Sequence, residues 1–134
     1  MFQLDERLAA DTVVLGDLEL CRVLLMNDAH YPWVILVPRR DNLREIYEMS
    51  DADQQQLQME SSRVAERMSA LFNAEKMNIA ALGNMVPQLH LHHIARFTDD
   101  AAWPKPVWGV VPAKPYSTDE MKERVAALQK ALFD

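Results

Sequence analysis

The chain has a single cysteine, Cys21, in 134 residues. No disulfide can therefore form within it and no cysteine-based zinc finger can be built, and a reducing compartment is the natural setting. Glycine is almost as scarce. The three present, Gly16, Gly83 and Gly109, lie too far apart for a Rossmann dinucleotide turn or a glycine-rich phosphate loop, so any phosphate chemistry must be done by other means. Positive charge is in deficit, with 14 Lys and Arg against 20 Asp and Glu and a formal net charge of −6. That balance argues against gripping long nucleic acid through many phosphates, while leaving room for a local basic pocket. No apolar run approaches the ~18 residues of a membrane span. The opening MFQLDERLAADTVVLG lacks a basic segment followed by an apolar stretch, so a cytoplasmic protein with no membrane partner is expected.

What remains is ordinary globular composition, 49% hydrophobic and 25% charged, enough for one core without staples. A single domain over residues 1–134 is expected, with a core at about 13–97, an arm at 98–116 and a C-terminal helix at about 118–133. ELCRVLLMN at 19–27 and WVILVPR at 33–39, separated by turn formers and Pro32, read as an antiparallel hairpin, and the preceding TVVLGD as a further strand. From Ser50 the period changes: Leu57, Ser61, Val64, Met68 and Leu71 recur every three or four residues, one stripe of an amphipathic helix. Ser50 suits its N-cap, with Asp51 and Asp53 in the first turn. KMNIAALGN and QLHLHHIARF read as two more strands. The stretch 98–116 carries Pro104, Pro106, Pro112 and Pro115 and reads as an irregular arm whose Trp103 and Trp108 pack on the body or on a partner. Ser117 and Glu120 frame a capping box ahead of a helix with Met121, Val125, Leu128 and Leu132 on one face. Strands, long helix, strands, arm, helix is the order of an α+β domain, an antiparallel sheet covered on one face.

The chemistry concentrates at His90, His92 and His93. On a strand, Gln88, His90 and His92 share one face while His93 points the other way, and alternate Cα atoms stand roughly 6.5 to 7 Å apart, close enough for two rings to touch one phosphate. Imidazole suits that task because a neutral ring offers a lone pair while its neighbour is charged or donates a hydrogen bond. His93 reads as a core or interface residue and His30 as a solvated turn residue. Arg96 either steers a polyphosphate or pairs with Asp99 or Asp100.

The stretch Gly83-Asn84-Met85-Val86-Pro87-Gln88-Leu89-His90-Leu91-His92-His93-Ile94-Ala95-Arg96 resembles the signature of the histidine triad superfamily, a Gly-Gln-x-Val-x lead followed by alternating histidines. LLMND followed by YPWVILVPR is similar to the family's nucleoside-pocket strand, loop and next strand, so the likeness spans Cys21 to Arg96. It implies a HIT-like fold and a homodimeric nucleotide-binding domain. His90 would attack an α-phosphorus and form a transient nucleotidyl-histidine, His92 would bind the phosphoryl oxygens, and Gln88 would hold the first triad place. Asn27 or Asp28 would take the ribose, although both also suit simple turn formation. Backbone amides at Gly83, Asn84, Met85 and Val86 would assist. The chain departs from the pattern at Gln88, at Val34 where a partner histidine is frequent, and at Met85 in place of a hydroxyl that assists the leaving group. Loss of both Gln88 and Val34 positions together would remove a buried imidazole pair without stranding one member.

The reading that follows is a nucleotide hydrolase or nucleotidyl transferase for a phosphoanhydride, phosphoramidate or dinucleoside polyphosphate, needing no cofactor. A non-catalytic nucleotide-binding module is the alternative. A metal protein built on His-x-His-His is a third, which needs ligands from elsewhere.

Overall fold

The structure, a computed structural model, describes residues 1–133. Five antiparallel strands form one sheet: β1 (Thr12–Asp17), β2 (Cys21–Met26), β3 (Trp33–Pro38), β4 (Lys76–Ala80) and β5 (Leu91–Arg96), in spatial order β1-β2-β3-β5-β4. Three α-helices accompany it, α1 (Glu6–Asp11), α2 (Asp51–Phe72) and α3 (Thr118–Phe133). This is the α+β, HIT-like arrangement expected. The hairpin is β2–β3, with Val23 opposite Leu36. β5 is inserted between β3 and β4, with Val34 and Ile79 on either side of His93, so the histidine-bearing strand is fixed by ladders on both edges.

Side-chain alternation sorts the strands into two cores. Val23, Leu25, Val34, Leu36 and Leu91 pack with Leu57, Val64 and Met68 of α2 and with Leu128 and Leu132 of α3. Leu24, Trp33, Ile35, Val37 and Ile94 face the opposite way and meet Phe2, Leu4 and Leu8 from the N-terminal segment and Ala102 and Val107 from the arm. The sequence suggested cover on one face only. Both faces are closed, because every residue of β3 and β5 is buried, and an apolar second face needs a second cover.

Local signals explain most element ends. Ser50 accepts a hydrogen bond from Asp53 N–H at 3.1 Å and starts α2. The stripe Leu57, Ser61, Val64 and Met68 is buried, but Leu71 is 40% exposed; four residues beyond Met68 it is Phe72 that turns to the core. The capping box of α3 forms, with Ser117 N–H donating to Glu120 and Glu120 N–H to Ser117. At Gly16, where β1 bulges, a Cβ would sit 2.9 Å from the Phe133 ring, so the missing side chain is what lets the end of α3 close on the sheet. Residues 98–116 hold no helix or strand.

One boundary differs in a way that matters. The alternation suggested a strand from Gln88, yet β5 begins at Leu91. β3 ends at Pro38, which has no N–H to extend a ladder, and Leu89 N–H donates to Leu43 O at 2.9 Å instead. Gln88, Leu89 and His90 thus precede the sheet. Cys21 is buried, and burial pushes its thiol well above the ordinary range. No helix among the described residues is long and apolar enough to cross a membrane.

Candidate active site

His90 and His92 face the side of the sheet away from α2 and α3, their ring centroids 4.9 Å apart and nearly perpendicular at 72°. His90 Nδ1 lies 2.7 Å from the carbonyl oxygen of Gln88. A carbonyl only accepts, so in the neutral ring Nδ1 carries the proton and Nε2 keeps its lone pair. His92 is set the other way. Trp33 Nε1–H donates to His92 Nδ1 at 3.0 Å, which leaves the proton of the neutral ring on Nε2. Burial, with lesser contributions from His90 and His93, pulls the His92 pKa down to about 3. At neutral pH it is therefore an uncharged N–H donor.

Trp33 is the residue that sequence reasoning missed. The partner position was assigned to Val34, but Val34 is fully buried against the helices and stands opposite His93. Strand alternation makes a one-residue offset a change of face, so the side chain that meets the row is Trp33, and the supposed joint loss at Gln88 and Val34 does not describe one cluster. A signal existed in the sequence: a tryptophan at the head of a wholly apolar strand must find an acceptor for its N–H when buried. Trp108 of the arm completes the surround, its ring 5.0 Å from His92 and 5.7 Å from Trp33, edge-on to both. Trp103 instead lies on the arm's base, 5.6 Å from the Arg96 guanidinium.

Other expected site residues fall in two groups. Gln88 sits next to His90, but its amide bonds to the N-terminal segment. In the preceding loop Gly83 adopts φ +76°, Asn84 and Met85 are exposed, the Met85 carbonyl accepts from Arg7 at 2.7 Å, and Val86 packs on the second core. Asn27 and Asp28 follow β2 and latch the arm's far end. Asn27 Oδ1 accepts from Tyr116 N–H at 2.9 Å, and Asp28 Oδ1 from Lys114 N–H at 3.3 Å and His30 N–H at 3.0 Å. His30 is no free turn residue, since its Nδ1 lies 2.8 Å from the same oxygen. A run of rings, His30–Tyr31–Trp33–His92, with centroids 5.8, 6.2 and 5.7 Å apart, joins this turn to the histidine row.

His93 occupies the opposite face, where Ser61 Oγ lies 2.7 Å from its Nε2 and its Nδ1–H donates to Leu91 O at 3.1 Å. The His-x-His-His set is thereby split between faces, and no three His, Cys, Asp or Glu side chains gather around a metal-sized position among the described residues. Arg96 pairs with Asp100 at 2.7 Å, both almost fully buried. A cleft of about 680 Å³ is lined by Phe2, Arg40, Arg44 and Gln88 among others and includes neither His90 nor His92.

Burial also pulls the His93 pKa down to about 4, against weaker opposing hydrogen bonds from Leu91 and Val34. With His92 at about 3, the unfolded chain binds two protons that the native state does not until far lower pH. Stability is full above the unfolded pKa of about 6.5 and falls on acidification, by about 1.4 kcal/mol per pH unit for each histidine. Urea unfolding at pH 7 and pH 5 should show this as a lower midpoint at pH 5; equal midpoints would contradict the buried, neutral assignment.

The HIT domain family model matches residues 7–99, and this chain belongs to the histidine triad family. It is similar to the crystal structure of a histidine triad protein from Marinobacter aquaeolei at 59% identity and a TM-score of 0.97, over 99% of this chain and 97% of that one. A histidine triad protein from Bradyrhizobium japonicum matches at 46% identity and a TM-score of 0.95, over 98% of both chains. One from Sinorhizobium meliloti matches at 45% identity and a TM-score of 0.95, over 98% of this chain and 97% of that one. No curated protein matches the chain. Family membership implies nucleotide binding and, in general, hydrolase or transferase activity.

Proposed function

We propose that this protein is a nucleotide hydrolase or nucleotidyl transferase whose substrate carries a phosphoanhydride or phosphoramidate link, or is a dinucleoside polyphosphate, and that His90 is the nucleophile. The observation that carries the reading is the opposed tautomers of the two rings, set by the Gln88 carbonyl and the Trp33 indole. His90 Nε2 attacks the α-phosphorus, the bond to the leaving phosphate or amine breaks with its electron pair, and the leaving group takes a proton from solvent. The imidazole becomes cationic, and its Nδ1–H bond to the Gln88 carbonyl strengthens with that charge. His92 Nε2–H donates to a phosphoryl oxygen as negative charge builds there. Water or another acceptor then attacks phosphorus, the P–Nε2 bond breaks, and a nucleotide is released. Asp28 contributes its Oδ2 to a ribose hydroxyl, since its known bonds all fall on Oδ1. Backbone amides of the exposed loop from Gly83 to Val86 face the phosphates.

The test is incubation with an adenosine 5′-phosphoramidate of a simple amine. AMP release, with a transient gain of one adenylyl group in the intact mass of the protein, is expected. Nucleotide binding without any release would favour the second reading, a binding module, which Met85 at the place of an assisting hydroxyl makes worth separating.

We also propose a cytoplasmic homodimer. β4 is an edge strand carrying Ile79 at 49% exposure, followed by Leu82 at 51%, and an open apolar edge favours pairing with another chain. A sizing column reading twice the chain mass is expected, and a monomer at micromolar concentration would rule it out.

A further inference from the structure

We infer that the N-terminal segment braces the nucleophile and that Gln88 is the positioning residue through which it acts; this rests on the reading of His90 as nucleophile. His90 is presented from outside the sheet, because β5 begins one residue later. The tautomer of its ring depends on a single backbone atom of that segment, the Gln88 carbonyl 2.7 Å away. What holds this carbonyl is the side chain of the same residue. Gln88 Oε1 accepts from Asp5 N–H at 2.9 Å, and Gln88 Nε2 donates to the Gln3 carbonyl at 2.9 Å. The amide pairs with residues 3 and 5 as one more peptide group in a β-ladder would.

The brace extends further. Arg7 Nη1 donates to the Met85 carbonyl at 2.7 Å, and the Asp5 carboxylate holds the Arg7 guanidinium with contacts of 3.2 and 3.1 Å. Phe2 and Leu4 pack on the second core and anchor the segment to the body. Three bonds from residues 3–7 onto residues 85–88 thus stand where a neighbouring strand would otherwise fix the chain. A carboxamide accepts and donates at once whatever the pH, whereas an imidazole at position 88 would do so only when neutral and in one tautomer. Gln88 is therefore suited to a task different from transferring a proton.

Two variants and two readouts test this. Gln88→Met keeps length and volume and removes both bonds. Gln88→Glu keeps the acceptor for Asp5 N–H but sets an anion against the Gln3 carbonyl until it is protonated, when it can donate again. For AMP release from an adenosine 5′-phosphoramidate, Gln88→Met should lower kcat about tenfold and leave KM within about threefold, the signature of a misplaced nucleophile. Gln88→Glu should match it at pH 8 and climb relative to wild type as pH falls from 7 to 5. A Gln88→Met kcat within about twofold of wild type, or a Gln88→Glu to wild-type ratio flat with pH, overturns the inference while leaving His90 as nucleophile. Imidazole nitrogen NMR decides it without turnover. His90 should hold one Nδ1–H tautomer in wild type and a mixture in Gln88→Met; an unchanged single tautomer overturns the brace. If wild type releases no AMP, it is the catalytic reading that fails, and the NMR result still stands on its own.

Discussion

His90→Ala is expected to lower AMP release at least ~10³-fold while the protein keeps its fold and its affinity for nucleotide. The scale follows from what is removed. Covalent catalysis divides one displacement at phosphorus into two, and without Nε2 no phosphorus–nitrogen bond can form. Water would have to attack directly, assisted only by the donor on His92 and by positioning. The structural cost is small by comparison, because His90 makes its hydrogen bond to a backbone carbonyl of a segment outside the sheet, where water can enter the vacated volume and take over the proton donation. Release measured by chromatography and binding measured by calorimetry separate the two effects. Release at the wild-type rate would remove His90 from the mechanism, and loss of binding together with the melting transition would mean that the ring is mainly structural.

The row's face and the fold class were legible because they depend on periodicity. Alternation placed His90 and His92 together and His93 apart, and two imidazoles on one side of an extended segment can be read without coordinates. The same rule failed at its edges. It carried the strand back to Gln88, since alternation continues through an extended segment whether or not a neighbour hydrogen-bonds to it; what ended the ladder was the absence of an N–H at Pro38 on another strand. The resemblance, not alternation, pointed to Val34 as the place of a partner lost together with Gln88, one residue from the Trp33 that meets the row, because register between β3 and β5 is a property of the pair. Asn27, Asp28 and Gln88 were flagged by position in a motif, but their bonds to Tyr116, Lys114, Gln3 and Asp5 join segments 83 to 89 residues apart. Helix α1, six residues long, has too few turns to show a period at all.

Arg96→Ala is expected to destabilise the protein by about 3–5 kcal/mol, more than any other single exchange considered, although Arg96 is not part of the histidine row. Its guanidinium is 2% exposed and makes four bonds: two to the Asp100 carboxylate at 2.7 and 3.1 Å, one to Asn78 Oδ1 at 2.7 Å and one to the Lys105 carbonyl at 2.7 Å. It also lies over the rings of Tyr31 and Trp103, 5.9 and 5.6 Å from their centroids. Burial pushes the Asp100 pKa up, but Arg96 and the N–H groups of Phe97, Ala102 and Trp103 outweigh that and hold it at about 2. Removing the arginine leaves a carboxylate that is 4% exposed without its counter-charge, which is the costly half of a buried pair. The pH dependence gives the mechanism away. In wild type the contribution of Asp100 is present above pH ~3.9 and lost as pH falls through about 2; in Arg96→Ala the carboxyl titrates higher, so the gap between variant and wild type should narrow on acidification. Arg96→Met with Asp100→Asn should recover much of the loss by removing both charges. The functional consequence follows from connectivity, since Asp100 is where the arm leaves the sheet and Trp108, eight residues on, lies against His92. Loosening that base should lower kcat as well as the urea midpoint, and a variant with wild-type stability would show that the Arg96–Asp100 pair is not what fixes the arm.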